Sequence, residues 1–269
     1  MKILFTICGR KGSKGIKNKN ISYFAGYPLL YYTLSAIDLF QKAHTEYEMD
    51  TVISSDSLEL LAMAEKNPFF PVNSLIRDDA LSGDFVPKPS VILDCMRKMQ
   101  ERKRLSYDIV SDLDLTAPLR RVSDMERLIL KHIRTGADVT LSVTDSRRNP
   151  YFNMVRETER GVKKVLESDF TARQQAPVMF DLNASLYAYK PEFLINNKGV
   201  LDGYTECIKM YDTGVLDLDH ETDFELMQVI AGYLYEQKPD FGAIRQNIVN
   251  AMAGAGAERC DYYESNFHE

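Results

Sequence analysis

The sequence predicts an α/β protein built on a mostly parallel, doubly wound, Rossmann-like sheet with an inserted arm. Three observations carry that expectation. Short apolar runs alternate with helical segments from residue 1 to about 144, the pattern of a sheet covered by helices on both faces. The first run, KILFTIC over 2–8, is apolar at nearly every position, as strands are when neither face meets water. After residue 144 the alternation breaks, and the polar stretch 147–180, with RRNPYF and TARQQAP, leaves the sheet before strand patterning returns.

Taken in order, a glycine-rich loop follows the first strand, and Tyr27 to Phe40 reads as a helix with Pro28 near its first turn, where the missing N–H costs nothing. TVISSDS (51–57) is a second strand ending in a polar turn, and Ser57 is placed to cap a helix running to Lys66. A loop around 77–89 leads into a helix through Val91, Cys95 and Met99. YDIVSDLDL (107–115) is a third strand, Ser123 caps the next helix, and ADVTLSV (137–143) is a fourth strand. NASLYAY (183–189) and GVLDLD (214–219) read as further strands. A helix from Thr222 to about Tyr235 opens with Thr222-x-x-Glu225, a capping box. Beyond Lys238 the small-residue pattern predicts an appended tail or interaction segment, so the chain divides into a main unit, 1–236, and an extension, 237–269.

Composition narrows the functions. An apolar fraction of 45% and a charged fraction of 27% are those of an ordinary globular protein. A net charge of −6 excludes general binding to nucleic acid or anionic membranes, which need a broad basic surface. Cys8, Cys95, Cys207 and Cys260 are widely spaced and form neither a zinc pattern nor a disulfide framework. Reduced cysteines, no signal-peptide core and no run of membrane-spanning length place the protein in the cytoplasm.

Anion recognition in such an acidic chain must be local, and GRKGSKGIKNKN (9–20) concentrates it, with five cationic residues and three glycines. In open α/β sheets ligands bind where strands end and helices begin. Glycines there let backbone N–H groups approach phosphate oxygens, and Arg10, Lys14 and Lys19 supply charge. Neither standard fingerprint is present: Walker A fails at Lys14, and the dinucleotide pattern fails at Lys11. Phosphate binding is favoured over a merely solvated basic turn.

Two Asp-x-Asp pairs stand out. Asp217 and Asp219 flank Leu218 at a predicted strand end, which puts both carboxylates on one side. Such a pair suits Mg²⁺, which takes one or two protein carboxylates and completes its shell with water and substrate phosphates. Solvated acids leading into a helix would look the same. Asp112 and Asp114 repeat the spacing; nucleotide-sugar glycosyltransferases carry such a motif after a strand, yet polar residues lining a crevice without metal are the favoured reading. His44, His132, His220 and His268 form no cluster, which argues against histidine catalysis or metal binding.

Five ordered motifs then carry a resemblance: GRKGSKGIKNKN, RDDALSGDFVP, DLTAPLR, RQQAPVMFDLNASLY and DLDHETDFEL. The chain resembles the acylneuraminate cytidylyltransferases from residue 1 to about 236. The resemblance implies transfer of CMP from CTP to the anomeric hydroxyl of a nine-carbon 2-keto acid sugar, with release of pyrophosphate. It implies that Arg10, Gly12, Ser13, Lys14, Lys19 and Asn20 hold the nucleotide, that Arg77 and Ser82 contact it, and that Asp217 and Asp219 bind Mg²⁺. Arg173, Asn183 and Tyr187 would line the sugar pocket. A homodimer is also implied, with 147–180 the dimerisation arm. The chain departs from the family where Gln-Pro-Thr-Ser becomes Asp114-Leu115-Thr116-Ala117. An acceptor-only carboxylate at Asp114, a sugar-contacting position, should change which sugar substituent is recognised. With RRNPYFN, this points to the branch that activates legionaminic acid. A synthetase for the eight-carbon acid Kdo, a nucleotide-sugar glycosyltransferase and a catalytically silent nucleotide-binding protein are the competing readings.

Overall fold

The structure, a computed structural model, describes residues 1–12, 16, 18–196, 199–212 and 221–255. Its elements begin with β1 (Lys2–Cys8), a short hairpin of β2 (Tyr23–Phe24) and β3 (Tyr27–Pro28), and α1 (Leu29–Ala43). There follow β4 (Glu48–Ser55), α2 (Leu58–Glu65), β5 (Asn73–Ile76), α3 (Lys88–Lys103), β6 (Ile109–Leu113) and α4 (Val122–Thr135). Next come β7 (Val139–Asp145), a hairpin of β8 (Val155–Thr158) and β9 (Gly161–Lys164), β10 (Phe180–Tyr189) and α5 (Pro191–Ile195). The described chain closes with β11 (Thr205–Lys209), α6 (Glu221–Gln237) and α7 (Pro239–Gly254).

Seven strands form one sheet in the order β11-β7-β10-β6-β1-β4-β5. All neighbours are parallel except β10, which runs antiparallel to both β6 and β7. The expected α/β fold with a mostly parallel sheet is therefore what the chain adopts. Period-2 geometry sorts β1 between two cores. Ile3, Phe5 and Ile7 pack with α1, α4, α6 and α7, whereas Leu4 packs with α3 and α5 on the other face. The chain moves outward from β1 through β4 to β5, then returns to the other side of β1 as β6. That reversal makes the carboxyl ends of β1 and β6 a topological switch point, the place where open α/β sheets bind ligands.

Several local expectations change. The oxygen of Ser57 accepts from the Leu60 N–H at 3.3 Å, so the predicted cap of α2 stands. Ser123 lies inside α4; the buried Asp124 carboxylate instead accepts from the Arg121 N–H at 3.0 Å, because a carboxylate in the first turn also meets the helix dipole. Thr222 likewise lies within α6 rather than before it. Strands β5 and β11 add to the predicted set. The segment expected as a weakly patterned tail forms α7, whose Phe241, Ile244 and Ile248 recur on one face and enter the α1 core. The predicted strand 214–219 lies outside the described residues.

The chain leaves the sheet after β7 and rejoins it at Phe180, the last residue of the expected 147–180 excursion. The hairpin β8–β9 in between pairs only with itself, turning through Gly161 at φ 88°, a left-handed conformation that glycine adopts without penalty. No helix among the described residues is long and apolar enough to cross a membrane.

Candidate active site

The glycine-rich loop leaves β1 at Gly9, whose N–H donates to the Ser54 carbonyl at the end of β4 (3.1 Å). The same carbonyl receives Arg77 Nη2 at 2.8 Å, and Arg77 Nε reaches Ser54 Oγ at 3.3 Å. Arg77 is thus buried at the root of the loop and braces it. Asn20 Nδ2 donates to the Arg10 carbonyl at 2.8 Å, tying the far end of the loop back to its start. A side chain at position 9 has no room, because a Cβ there would lie 2.6 Å from Leu60 Cδ2. Gly12 adopts φ +78°, a left-handed conformation that glycine takes without penalty, and a Cβ there would meet nothing within 4 Å. Arg10, Lys11, Gly12, Asn18, Lys19 and Asn20 line a small concavity together with Ser57 and Glu59. Ser13 and Lys14 lie outside the described residues.

A second loop closes over the first. Arg10 pairs with Asp84, which follows the 3-10 turn Asp79–Leu81. Ser82 donates to the Asp78 carbonyl at 3.1 Å and so holds that turn together.

On the other side of the switch point, β6 ends in a buried polar cluster. Thr6 Oγ1 on β1 donates to Asp112 Oδ1 at 2.8 Å, spanning the two strands. Lys88, the first residue of α3, places Nζ 2.7 Å from Asp112 Oδ2 and 2.8 Å from Asp114 Oδ2. An ammonium therefore occupies the space between these carboxylates, and this Asp-x-Asp pair is no metal seat. Asp114 Oδ1 also accepts from Thr116 N at 2.8 Å and Thr116 Oγ1 at 2.7 Å. Burial opposes ionisation of Asp114, but the Lys88 charge and the Lys88 and Thr116 hydrogen bonds outweigh it and hold the carboxyl well below its ordinary range. Conversely burial alone would neutralise Lys88, yet Asp112 and Asp114 push its pKa well above normal. Arg120, fully buried, donates Nε to the Ala117 carbonyl at 3.0 Å and Nη2 to the Asp114 carbonyl. Its pKa falls to about 10 because burial disfavours the charge. Beneath the cluster, Cys8 Sγ meets the Cys95 thiol, and that contact, with burial, raises the Cys8 pKa.

The antiparallel β10 lies beside this cluster, between β6 and β7. Its register shifts between Leu182 and Tyr187, with Ala184 at φ 52°, a bulge of the kind that re-aims side chains beside sites. Asn183 pins the bulge, accepting from Ser142 Oγ at 2.5 Å and donating to Met210 Sδ at 3.4 Å. The Asp114 N–H donates to the Ser185 carbonyl at 3.0 Å, joining bulge and β6. Tyr187 stacks on Tyr189 with centroids 5.9 Å apart, and Lys88 Nζ lies 5.9 Å from its ring. Arg173, in an exposed turn, donates to the Ser146 carbonyl at 3.1 Å just beyond β7.

The carboxyl edge of the sheet thus gathers two groups: Arg10, Gly12, Lys19, Asn20, Arg77 and Ser82 beside β1 and β4, and Asp114, Arg173, Asn183 and Tyr187 beside β6, β7 and β10. Lys88 was not singled out from sequence; only the packing of α3 against β1 brings it to Asp112 and Asp114. Asp217 and Asp219 lie outside the described residues, and among the described residues no cluster of three or more His, Cys, Asp or Glu could hold a metal ion.

No family model matches the chain. It is 32% identical over 242 residues to the CMP-N,N′-diacetyllegionaminic acid synthase of Campylobacter jejuni, a match covering 89% of this chain and 99% of that protein. The chain belongs to the acylneuraminate cytidylyltransferase family. It is accordingly a nucleotidyltransferase of the CMP-nonulosonate synthetase type. The post-translational flagellin modification protein B of Campylobacter coli is also 32% identical over 242 residues, covering 89% of this chain and 99% of that one. The N-acylneuraminate cytidylyltransferase of Escherichia coli is 24% identical over 256 residues, 93% of this chain and 56% of the other. Among solved structures, a CMP:2-keto-3-deoxy-manno-octonic acid synthetase complexed with CTP superposes with a TM-score of 0.62 at 14% identity, over 87% of this chain and 99% of that one. That likeness speaks to the fold.

Proposed function

We propose that this protein transfers CMP from CTP to the anomeric hydroxyl of a nonulosonic acid, either N,N′-diacetyllegionaminic acid or N-acetylneuraminic acid, and releases pyrophosphate. The observation that supports it most directly is the topological switch point at β1 and β6, with a cationic glycine loop after β1 and the Asp114–Asn183 wall after β6. The sugar hydroxyl oxygen attacks the α-phosphorus of CTP, the bond to the β-phosphate oxygen breaks, and pyrophosphate leaves. Phosphoryl transfer of this kind depends on positioning and charge neutralisation more than on covalent help from protein. Arg10, Lys14 and Lys19, with N–H groups of the loop, hold the phosphates; Arg77 and Asn20 fix the loop that presents them. Arg10 pairs with Asp84, and a bound phosphate would compete with that carboxylate for the guanidinium. Asp217 and Asp219 are hard oxygen donors suited to Mg²⁺, and they remain the candidate pair once Lys88 fills the other one. When bound, the ion neutralises developing phosphate charge. One of the two aspartates also takes the hydroxyl proton, directly or through water.

The protein acts in the cytoplasm as a homodimer. The arm 147–180 supports the dimer by exposing Val155, Val162 and Val178 around β8–β9, apolar surface that a second copy would cover.

The experiment is pyrophosphate release from each of four nucleoside triphosphates with Mg²⁺ and a panel of sugar acids. Release only with CTP and a nonulosonic acid is expected. Preference for the eight-carbon acid Kdo would reassign the sugar, and no release from folded protein would overturn the reading.

A further inference from the structure

We propose that Lys88 is the positioning residue of the sugar half of the site, fixing the Asp114 carboxylate and the Tyr187 ring in one arrangement that selects a sugar acid presenting an acylamino N–H. The inference rests on the function proposed above and names what that pocket recognises.

The geometry leaves Lys88 little freedom. Its Nζ lies 2.7 Å from Asp112 Oδ2, 2.8 Å from Asp114 Oδ2 and 5.9 Å from the centre of the Tyr187 ring. The ammonium hydrogen-bonds Asp114, pairs with Asp112 and lies within cation–π range of the Tyr187 ring. Lys88 is therefore engaged by protein and acts on substrate through its neighbours.

Charge decides what those neighbours bind. One ammonium between two carboxylates leaves the trio net negative, and Asp112 is fully buried. Arg120, buried beside them, brings a second positive charge and makes the four groups neutral together, but it donates to backbone carbonyls of Asp114 and Ala117 and leaves the Asp114 carboxylate an acceptor. An acceptor of this kind pairs with a hydrogen-bond donor and offers a substrate carboxylate or phosphate nothing.

Asp114 is built to receive such a donor. A carboxylate offers about four acceptor positions. Thr116 fills two at Oδ1, and Lys88 fills one at Oδ2. One position at Oδ2 remains, on a side chain that is 24% exposed. Lys88 keeps the group ionised, hence acceptor-only, and fixes its rotation about the strand end. Tyr187, paired with Asp112 across β6 and β10 and only partly buried, adds apolar surface for the methyl of an acyl group. A donor N–H next to an apolar acyl methyl is the signature of an acylamino substituent, which Kdo lacks.

The test is steady-state kinetics with N,N′-diacetyllegionaminic and N-acetylneuraminic acids for wild type, Lys88→Gln, Asp114→Asn and the double variant. Wild-type turnover with CTP is the control, and its failure would refute the proposed function itself. In Lys88→Gln the KM for sugar should rise about 10- to 100-fold, the loss of one charge-assisted hydrogen bond, while the KM for CTP stays within about twofold. In the Asp114→Asn background Lys88→Gln should add no further loss. An unchanged sugar KM, or an equal rise in both KM values, would overturn the inference. So would additive effects, which would mean that Lys88 touches the sugar independently of Asp114. Should Lys88→Gln not fold, Asp114→Asn carries the same comparison of sugar KM against CTP KM.

Discussion

His132 lies on the buried face of α4, 3% exposed, with Nδ1 3.0 Å from the Thr140 hydroxyl on β7. Burial, reinforced by the positive charge of Lys190 and only partly opposed by Asp138, lowers its pKa from 6.5 to about 4. The folded protein therefore keeps His132 neutral at a pH where the unfolded chain already binds a proton. The stability this confers is fully present above pH 6.5 and is lost as pH falls through 4. Between about pH 7.5 and pH 5 the proton uptake of the unfolded state through this one group costs about 2 kcal/mol, and well below pH 4 the loss approaches about 3 kcal/mol. The perturbation is His132→Gln, which can still hydrogen-bond Thr140 but cannot titrate. The assay is urea unfolding of both proteins at several values across that pH range. The wild type should lose about 2 kcal/mol more than the variant over the interval. Parallel curves would show that His132 titrates alike in both states, and the argument from its burial would fail.

Two further substitutions probe the architecture around the site. Gly9→Ala would set a methyl 2.6 Å from Leu60 Cδ2, in a core where Leu60 is fully buried, and 3.4 Å from Asn20 Nδ2. Overpacking of about 1–3 kcal/mol is expected in thermal unfolding, with a raised KM for CTP because Asn20 anchors Arg10. Ile244→Ala on α7 removes a side chain that is 1% exposed in the main core and should cost about 2–5 kcal/mol in urea unfolding. A change below about 0.5 kcal/mol would mean that α7 is not part of the cooperative core.

Particular elements show where sequence was sufficient. The runs that became β1, β4, β6, β7 and β10 were legible because central strands in a covered sheet must be apolar along their length. The edge strands β5 (NSLI) and β11 (TECIK) escaped notice because each has only one neighbour and carries polar or half-exposed side chains. The stripe Phe241, Ile244 and Ile248 was readable but diluted by small residues.

The site divides along the same line. Local composition alone marked the glycine loop as an anion cradle and the Asp-x-Asp pairs as chemistry, because spacing within a loop or strand fixes which groups share a side. Their roles depended on contacts between distant segments. Arg77 and Asn20 turned out to brace the loop, and Lys88 to occupy the carboxylates of Asp112 and Asp114 from 24 and 26 positions away. No periodicity encodes such a meeting. It follows from the order in which β6 returns beside β1, which places an ammonium from α3 where two strand-end carboxylates had to be neutralised.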